Sequence, residues 1–401
     1  MKQETKRVAL VLEEGSQYSL RLLEAAIRYA EQHPHIQLLQ SDFNSGQTPH
    51  WLERWLDCDG LLLFVSPSER WLERLLHRGV PAINTCGSWP PEIMPSVAFS
   101  GDGLMQIGMD YIVGLGRESV AMLLYSMEDD PGFRLRAEAF VKIATNRGLH
   151  AVMFDVGQQR AMERNPPRLT ARGQERLCTF LRQLSLPATV WAMDDFLGYA
   201  IVETARSLGI VVPDQLAVLG LGDYTVARYC RPQLSSIPQP GELIGFEAMR
   251  VLDGMMAGQQ PAQRRILIYP PPVVVRDSTR TIVKGDPQMS QLHDFIVEHA
   301  CRGISMDNVM KLASMSLPTL HRRFRAVYGR TPSEEIRRIK TEKAKYYLRT
   351  TTLSITRIAE LCGYNQQATF NVFFKRETKM TPSSYRTNVN MTAAQPGNPA
   401  A

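Results

Sequence analysis

This 401-residue chain lacks any apolar run near the roughly 20 residues needed to cross a bilayer. Its short runs, such as Leu61 to Val65, have the length of a buried strand. A charged start, "MKQETKR", is followed by only five apolar residues before Glu13, too few for the core of a secretion signal. Cysteine is sparse. The six (Cys58, Cys86, Cys178, Cys230, Cys301 and Cys362) show neither metal-ligand nor redox spacing, so reduced thiols in a cytosol are expected. There is no phosphate-binding loop, nucleophile elbow or zinc-binding His-Glu motif. With those motifs missing, no catalytic residue, metal or cofactor is expected, and the reading turns to a soluble cytoplasmic binding protein.

What is present is uneven charge. The stretch Gly285 to Arg386 holds 17 Lys or Arg against 9 Asp or Glu, a net of +8 within a chain of net +6. The first 284 residues are therefore faintly acidic, and a basic module is attached to something else.

That basic stretch contains one pattern twice. "SMDNVMKLASMSLPTLHRRFRAVYGRTPSEEIR" begins at Ser305 and "SITRIAELCGYNQQATFNVFFKRETKMTPSSYR" at Ser354. Val309 and Leu312 correspond to Ile358 and Leu361. After one extra turn residue, Leu320, Phe324, Thr331 and Pro332 correspond to Phe370, Phe374, Thr381 and Pro382. A short apolar helix, a turn and a second helix with apolar positions four apart make a helix-turn-helix. Two copies give one chain two helices able to read double-stranded DNA.

Leu320 and Phe324 should face the core of the first copy, leaving Pro318, His321 and Arg322 on other faces. In the second copy Phe370, Phe373 and Phe374 pack, and Gln366, Gln367, Ala368, Asn371, Val372 and Lys375 are candidates for exposure. Gln and Asn can read adenine, and Arg guanine, in the major groove. Arg323, Lys375, Arg376 and Lys379 suit phosphates, which set register rather than sequence. The intervening segment from Pro332 predicts a helix of about 16 residues, a rod of roughly 24 Å. Such a rod could hold two reading helices about one DNA turn apart.

The first 276 residues alternate short apolar runs, from Arg7, Gly60, Val120, Ala188 and Leu216, with amphipathic helices, one of them from Glu69. That alternation implies an α/β domain with parallel sheets covered on both faces, whose ligands bind beyond the C-terminal strand ends. Polar groups suited to a small polyol stand there. Glu13 and Glu14 follow the first strand, Asp102 follows "VAFSG", Asp194 and Asp195 follow "VWAM", and Asp223 follows "VLGLG". A carboxylate can accept from adjacent hydroxyls, an Arg can donate to them, and Trp89 or Trp191 could cover a sugar face.

"WAMDDFLGYAIVETARSLGIVVPDQLAVLGLGD" resembles the effector domain of LacI-type repressors, a type I periplasmic-binding-protein fold with two Rossmann-like lobes. The likeness spans about Arg7 to Arg276. It implies a sugar site that includes Asp102, Arg136, Asp194 and Asp223; Glu13 and Tyr18 complete the candidate set. "SITRIAELCGY" and "FFKRETKMTPSSYR" resemble the DNA-binding domain of AraC/XylS-type regulators, an all-α unit with two helix-turn-helices. Together the resemblances imply a sugar-responsive regulator, an activator taking a pentose and working with RNA polymerase as a homodimer. The limits expected are a sensor at 1–276, a linker at 277–286, a DNA reader at 287–386 and a disordered tail at 387–401. Two rivals stand beside this reading: a sugar-modifying enzyme fused to a DNA-binding domain, and a constitutive DNA-binding dimer.

Overall fold

Runs of Val, Leu and Ala form parallel strands here because helices cover both pleat faces and neither meets water. The architecture is that of a computed structural model, which describes residues 5–13, 15–43, 57–65, 76–77, 79–86, 90–125, 131–157, 169–280, 287–328, 330–350 and 353–393. Glu14, Trp89 and most of the helix expected from Glu69 lie outside the described residues, as do 281–286 and 394–401. The chain divides into two compact units, Met1–Arg280 and Thr281–Ala401.

The first unit holds two parallel sheets. One is built from β1 (Lys6–Glu13), β2 (Ile36–Phe43), β3 (Gly60–Leu63), β4 (Ala82–Asn84), β5 (Ser96–Phe99) and β11 (Arg265–Ile268), in the order β11-β5-β4-β3-β1-β2. The other is built from β6 (Ser119–Leu124), β7 (His150–Asp155), β8 (Ala188–Ala192), β9 (Leu216–Gly222) and β10 (Ser235–Pro238), in the order β10-β9-β8-β6-β7.

Helix α1 (Gln17–Gln32) buries Tyr18, Leu22, Ala25, Ala26 and Tyr29 on one face. It packs beside α7 (Gly241–Met256) over the first sheet. Helices α2 (Gly101–Gly114), α3 (Pro131–Asn146), α4 (Ala171–Gln183), α5 (Asp195–Ser207) and α6 (Thr225–Tyr229) belong to the second lobe. The chain crosses between lobes three times: before α2, before α7, and after β11.

Trp191 does not reach a ligand. It lies fully buried in β8, edge-on to Phe140 at 6.1 Å. Gly108 of α2 lies against its ring, where a Cβ would come within 2.1 Å. A strand covered on both faces offers even a large aromatic no route to solvent.

The first unit also extends past residue 276. Ser278 and Thr279 are fully buried. Ser278 Oγ accepts from Ser235 N–H at 2.8 Å and donates to Val218 O at 2.6 Å, and Thr279 Oγ1 meets Tyr111 Oη at 2.6 Å. A Ser-Thr-Arg stretch reads as linker, but its hydroxyls find buried partners in the second lobe.

The second unit comprises α8 (Pro287–His299), α9 (Met306–Ala313), α10 (Leu317–Tyr328), α11 (Pro332–Thr350), α12 (Ile355–Leu361), α13 (Gln367–Thr378) and α14 (Pro382–Ala393). Two aromatic-aliphatic cores hold it, one around Leu320 and Phe324 and one around Phe370 and Phe374. The connecting helix α11 has 19 residues, about 28 Å, longer than expected. Helix α14 also continues beyond Arg386 to Ala393, since no Gly or Pro interrupts 387–393. No helix among the described residues is long and apolar enough to cross a membrane.

Candidate ligand cleft and nucleic-acid interface

The expected ligand residues all stand at the C-terminal strand ends of the first unit or in the helices that follow. Glu13 closes β1, half-buried. Tyr18 sits in the first turn of α1, buried, with its ring 5.0 Å from Phe64 just beyond β3. Its hydroxyl is buried without a hydrogen-bond partner among the described residues. Asp102 is exposed in the first turn of α2, which Ser100 caps. Arg136 lies half-buried in α3.

Asp194 caps α5. Its Oδ1 accepts from Leu197 N–H at 2.7 Å and from Tyr125 Oη at 3.1 Å. Burial pushes its carboxyl up to about 6 despite those bonds. Asp223 follows β9 with φ +52°, in the left-handed region that Asp tolerates better than most residues. Its Oδ1 meets Arg276 Nη2 at 2.5 Å, both side chains largely covered. Asp223 would therefore meet a ligand as an ion pair, with acceptor and donor side by side.

Asp195 differs from its neighbour. It is fully buried and accepts from Ser236 Oγ and from Tyr224 N–H, both at 2.6 Å. Ser236 Oγ in turn accepts from Asp223 N–H at 3.0 Å. Burial raises the Asp195 carboxyl to about 7, against the pull of those donors. Its oxygens are consumed holding two strand ends together, so it is a latch and not a sugar acceptor.

Sequence reasoning missed the residue that spans the lobes. Arg21 of α1 donates to Gly222 O at 2.8 Å, Asp223 O at 2.8 Å and Gln239 O at 3.0 Å, and stands 5.3 Å over the Tyr224 ring. Tyr224 Oη donates to Gln239 Oε1 at 2.6 Å. Burial raises the Tyr18 and Tyr224 hydroxyls, keeping both as neutral donors. The available signal was an Arg three residues after Tyr18, at the edge of an otherwise apolar helix stripe. The rim thus gathers Tyr18, Arg21, Tyr224, Asp223 and Arg276, with Asp194 and Asp195 behind it.

In the second unit each copy forms a helix-turn-helix. Helix α9 starts in a capping box between Ser305 and Asn308, and Ser354 caps α12. The turns solve one problem in two ways: Ser314 takes φ +49° in the first copy and Gly363 φ +75° in the second. Only Gly fits at 363, where a Cβ would lie 2.8 Å from Cys301 O.

On α10, Pro318 and Arg322 are exposed and His321 is half-buried with Nε2 turned inward. On and before α13, Gln366, Gln367, Val372 and Lys375 are exposed, whereas Asn371 is half-buried with Oδ1 inward. Gln367 Oε1 accepts from Thr356 Oγ1 of α12 at 2.5 Å. Arg323 is not placed for a phosphate: its Nη1 donates to Gln288 Oε1 of α8 at 2.9 Å and so ties α10 to α8. Arg376 and Lys379 are exposed.

A two-lobed parallel α/β unit followed by a tandem helix-turn-helix is the architecture of a transcriptional regulator with a sensor. Residues 109–279 match the periplasmic binding protein-like domain family and residues 309–388 the helix-turn-helix domain family. The xylose operon regulatory protein of Escherichia coli K12 is 31% identical over 266 residues, 65% of this chain and 66% of that protein, a little under two thirds of its length. The xylose operon regulatory protein of Haemophilus influenzae is 26% identical over 83% of this chain and 86% of its own. A solved structure described as a xylose-binding transcription activator matches 97% of this chain and 99% of that one, with TM-score 0.57 and 25% identity. Over both of its parts the chain is similar to regulators that join a periplasmic-binding-protein-like domain to a helix-turn-helix domain. These relatives are regulators, and the matched families are sensor and DNA-binding domains rather than enzymes.

Proposed function

We propose that this protein is a sugar-responsive activator of transcription that works in the cytoplasm as a homodimer on a double-stranded operator. The effector is a pentose of the xylose kind, in line with the names of its relatives. RNA polymerase is the partner on DNA. The segment beyond the buried Ser278 and Thr279 carries the signal from sensor to reader, and 287–386 form the reading domain.

The observation that carries the sugar assignment is the buried Tyr18 hydroxyl, without a partner among the described residues, on a side chain whose ring packs on Phe64 of the same rim. A buried hydroxyl without a partner costs free energy, which a ligand oxygen would offset. Glu13, Asp102, Arg136, Asp194 and Asp223 supply further acceptors and donors. On DNA, Pro318, His321, Arg322, Gln366, Gln367, Asn371 and Lys375 form the contact set.

A panel of pentoses and hexoses at millimolar concentration, read by thermal shift and tryptophan fluorescence, tests the first step. At about 100 times its dissociation constant the right sugar adds roughly 2.7 kcal/mol, raising the sensor's Tm by about 5 °C or more. Tyr18→Phe should melt within about 1 °C of the parent, because it removes only an unpartnered hydroxyl, yet bind the sugar about tenfold more weakly. If no sugar shifts either signal, the assignment fails.

A further inference from the structure

The two recognition helices present opposite chemistry at one position. Leu320 and Phe370 are both fully buried, as are Phe324 and Phe374, so the copies stand in the same register. Arg322 and Val372 then occupy equivalent places, two residues after the first of these anchors. Arg322 is exposed, and Val372 is 72% exposed, the most open of the exposed large apolar side chains among the described residues.

Val372 gains nothing visible from its place in the folded chain. A β-branched residue is a weaker helix former than its neighbours require, and an open isopropyl group cannot bond to water. One turn before it on the same face is exposed Ala368, and one turn after are exposed Lys375 and Arg376. The result is a small apolar stripe bordered by cations. That combination fits the major groove, where thymine C5-methyls lie between rows of phosphates. Gln367, held by Thr356, stands at the start of the same stripe.

We infer that Val372 is a base-reading residue: its methyl groups pack on a thymine methyl, with Ala368 alongside. Helix α13 therefore reads an A·T-rich half-site, while α10, with Arg322 in the same place, reads a half-site containing guanine. The operator is asymmetric because the repeat is asymmetric. This rests on the proposed DNA-reading function and adds which bases each copy selects.

The test uses the full-length protein and a randomised duplex library. Recovered sequences should hold two unlike half-sites, one with a preferred guanine and one with a preferred thymine. Each thymine is then replaced singly by uracil, which lacks only the C5-methyl. One replacement in the α13 half-site should weaken the parent about fourfold and leave Val372→Ala unaffected. Val372→Arg should move the preference at that base pair from thymine towards guanine, and Arg322→Val should do the reverse in the other half-site. Both positions are exposed, and melting curves check that the variants fold. Silent uracil replacements throughout, or a uracil effect that survives Val372→Ala, would overturn the inference while leaving the regulator reading intact. So would Val372→Ala binding the parental sequence with parental affinity, which would assign the stripe to a protein partner. Recovery of no sequence by the folded protein would instead sink the DNA-reading function on which the inference stands.

Discussion

The two helix-turn-helix units share a frame and differ in what holds it. In the first, a buried ionic cluster adds to the ring contacts among His293, Phe324 and Tyr328. Glu335 of α11 is 3% exposed and accepts from Arg338 at 2.6 and 2.9 Å, from Arg330 at 3.0 Å and from His293 of α8 at 3.3 Å. Burial alone would raise its carboxyl, but the bonds and charges of Arg338 and His293 outweigh burial and hold it far below the usual range. In the second unit, rings do the same work. Tyr364 lies 5.7 Å from Phe370 and 5.1 Å from Phe373, and Tyr385 stands edge-on to Phe374 at 5.5 Å. Arg323 of one copy corresponds to buried Phe373 of the other. A helix-turn-helix frame thus needs only its few repeated apolar anchors, and the remaining inward positions can be ionic or aromatic.

The difference can be broken from either side, and the largest effect is expected in the aromatic unit. Phe374→Ala should cost about 3–5 kcal/mol in urea unfolding, because a fully buried ring leaves a cavity among other rings. Glu335→Ala comes next. It strands two arginines and a histidine beside a buried site, at about 2–3 kcal/mol, somewhat below a fully buried pair because the arginines are half in solvent. A loss under about 0.5 kcal/mol would show that the ionic cluster is ornamental.

Acid sharpens the same contrast. The Glu335 carboxyl is depressed in the folded state, so its contribution is complete above the ordinary glutamate value near 4.5 and lost as pH falls through the folded value. The first helix-turn-helix should soften before the second, as amide exchange on α8 and α11 would record. The sensor should respond in the opposite sense. Asp194 and Asp195 are raised to about 6 and about 7, so their contribution is complete below pH of about 4 and fades as pH rises through those values. Asp195→Asn should flatten the sensor's melting temperature between about pH 4 and 7. The smallest effect is expected for Arg323→Met, which exchanges the hydrogen bonds to Gln288 and Met315 Sδ for apolar contact; it should change stability by under about 1 kcal/mol.

Much of this molecule was legible before any coordinates. The strands from Arg7, Gly60, Val120, Ala188 and Leu216 lie where their apolar runs stand. Both helix-turn-helices carry Leu320, Phe324, Phe370 and Phe374 as buried anchors. These signals are local, since periodicity, turn residues and caps act within a few residues of one another. The candidate rim was legible less evenly. Strand-end acids could be located by position, but not sorted: Asp194 and Asp195 are adjacent in sequence, yet one caps a helix behind the rim and the other locks β9 to β10. Likewise "HRRFR" gives no sign that Arg323 turns inward while Arg322 turns out, because that depends on Gln288 of another helix.

The amino-acid sequence by itself determined the order of elements, the duplicated reader, the basic charge of that reader and the absence of apolar spans. Each follows from composition or from spacing within a single element. Tertiary structure decided which polar groups are spent and which stand open. Arg21 binds Gly222 across 201 residues, Asp195 binds Ser236 across 41, and Ser278 binds Val218 across 60. A buried polar group takes its role from the partner that desolvates with it, and that partner is chosen by the packing of distant segments.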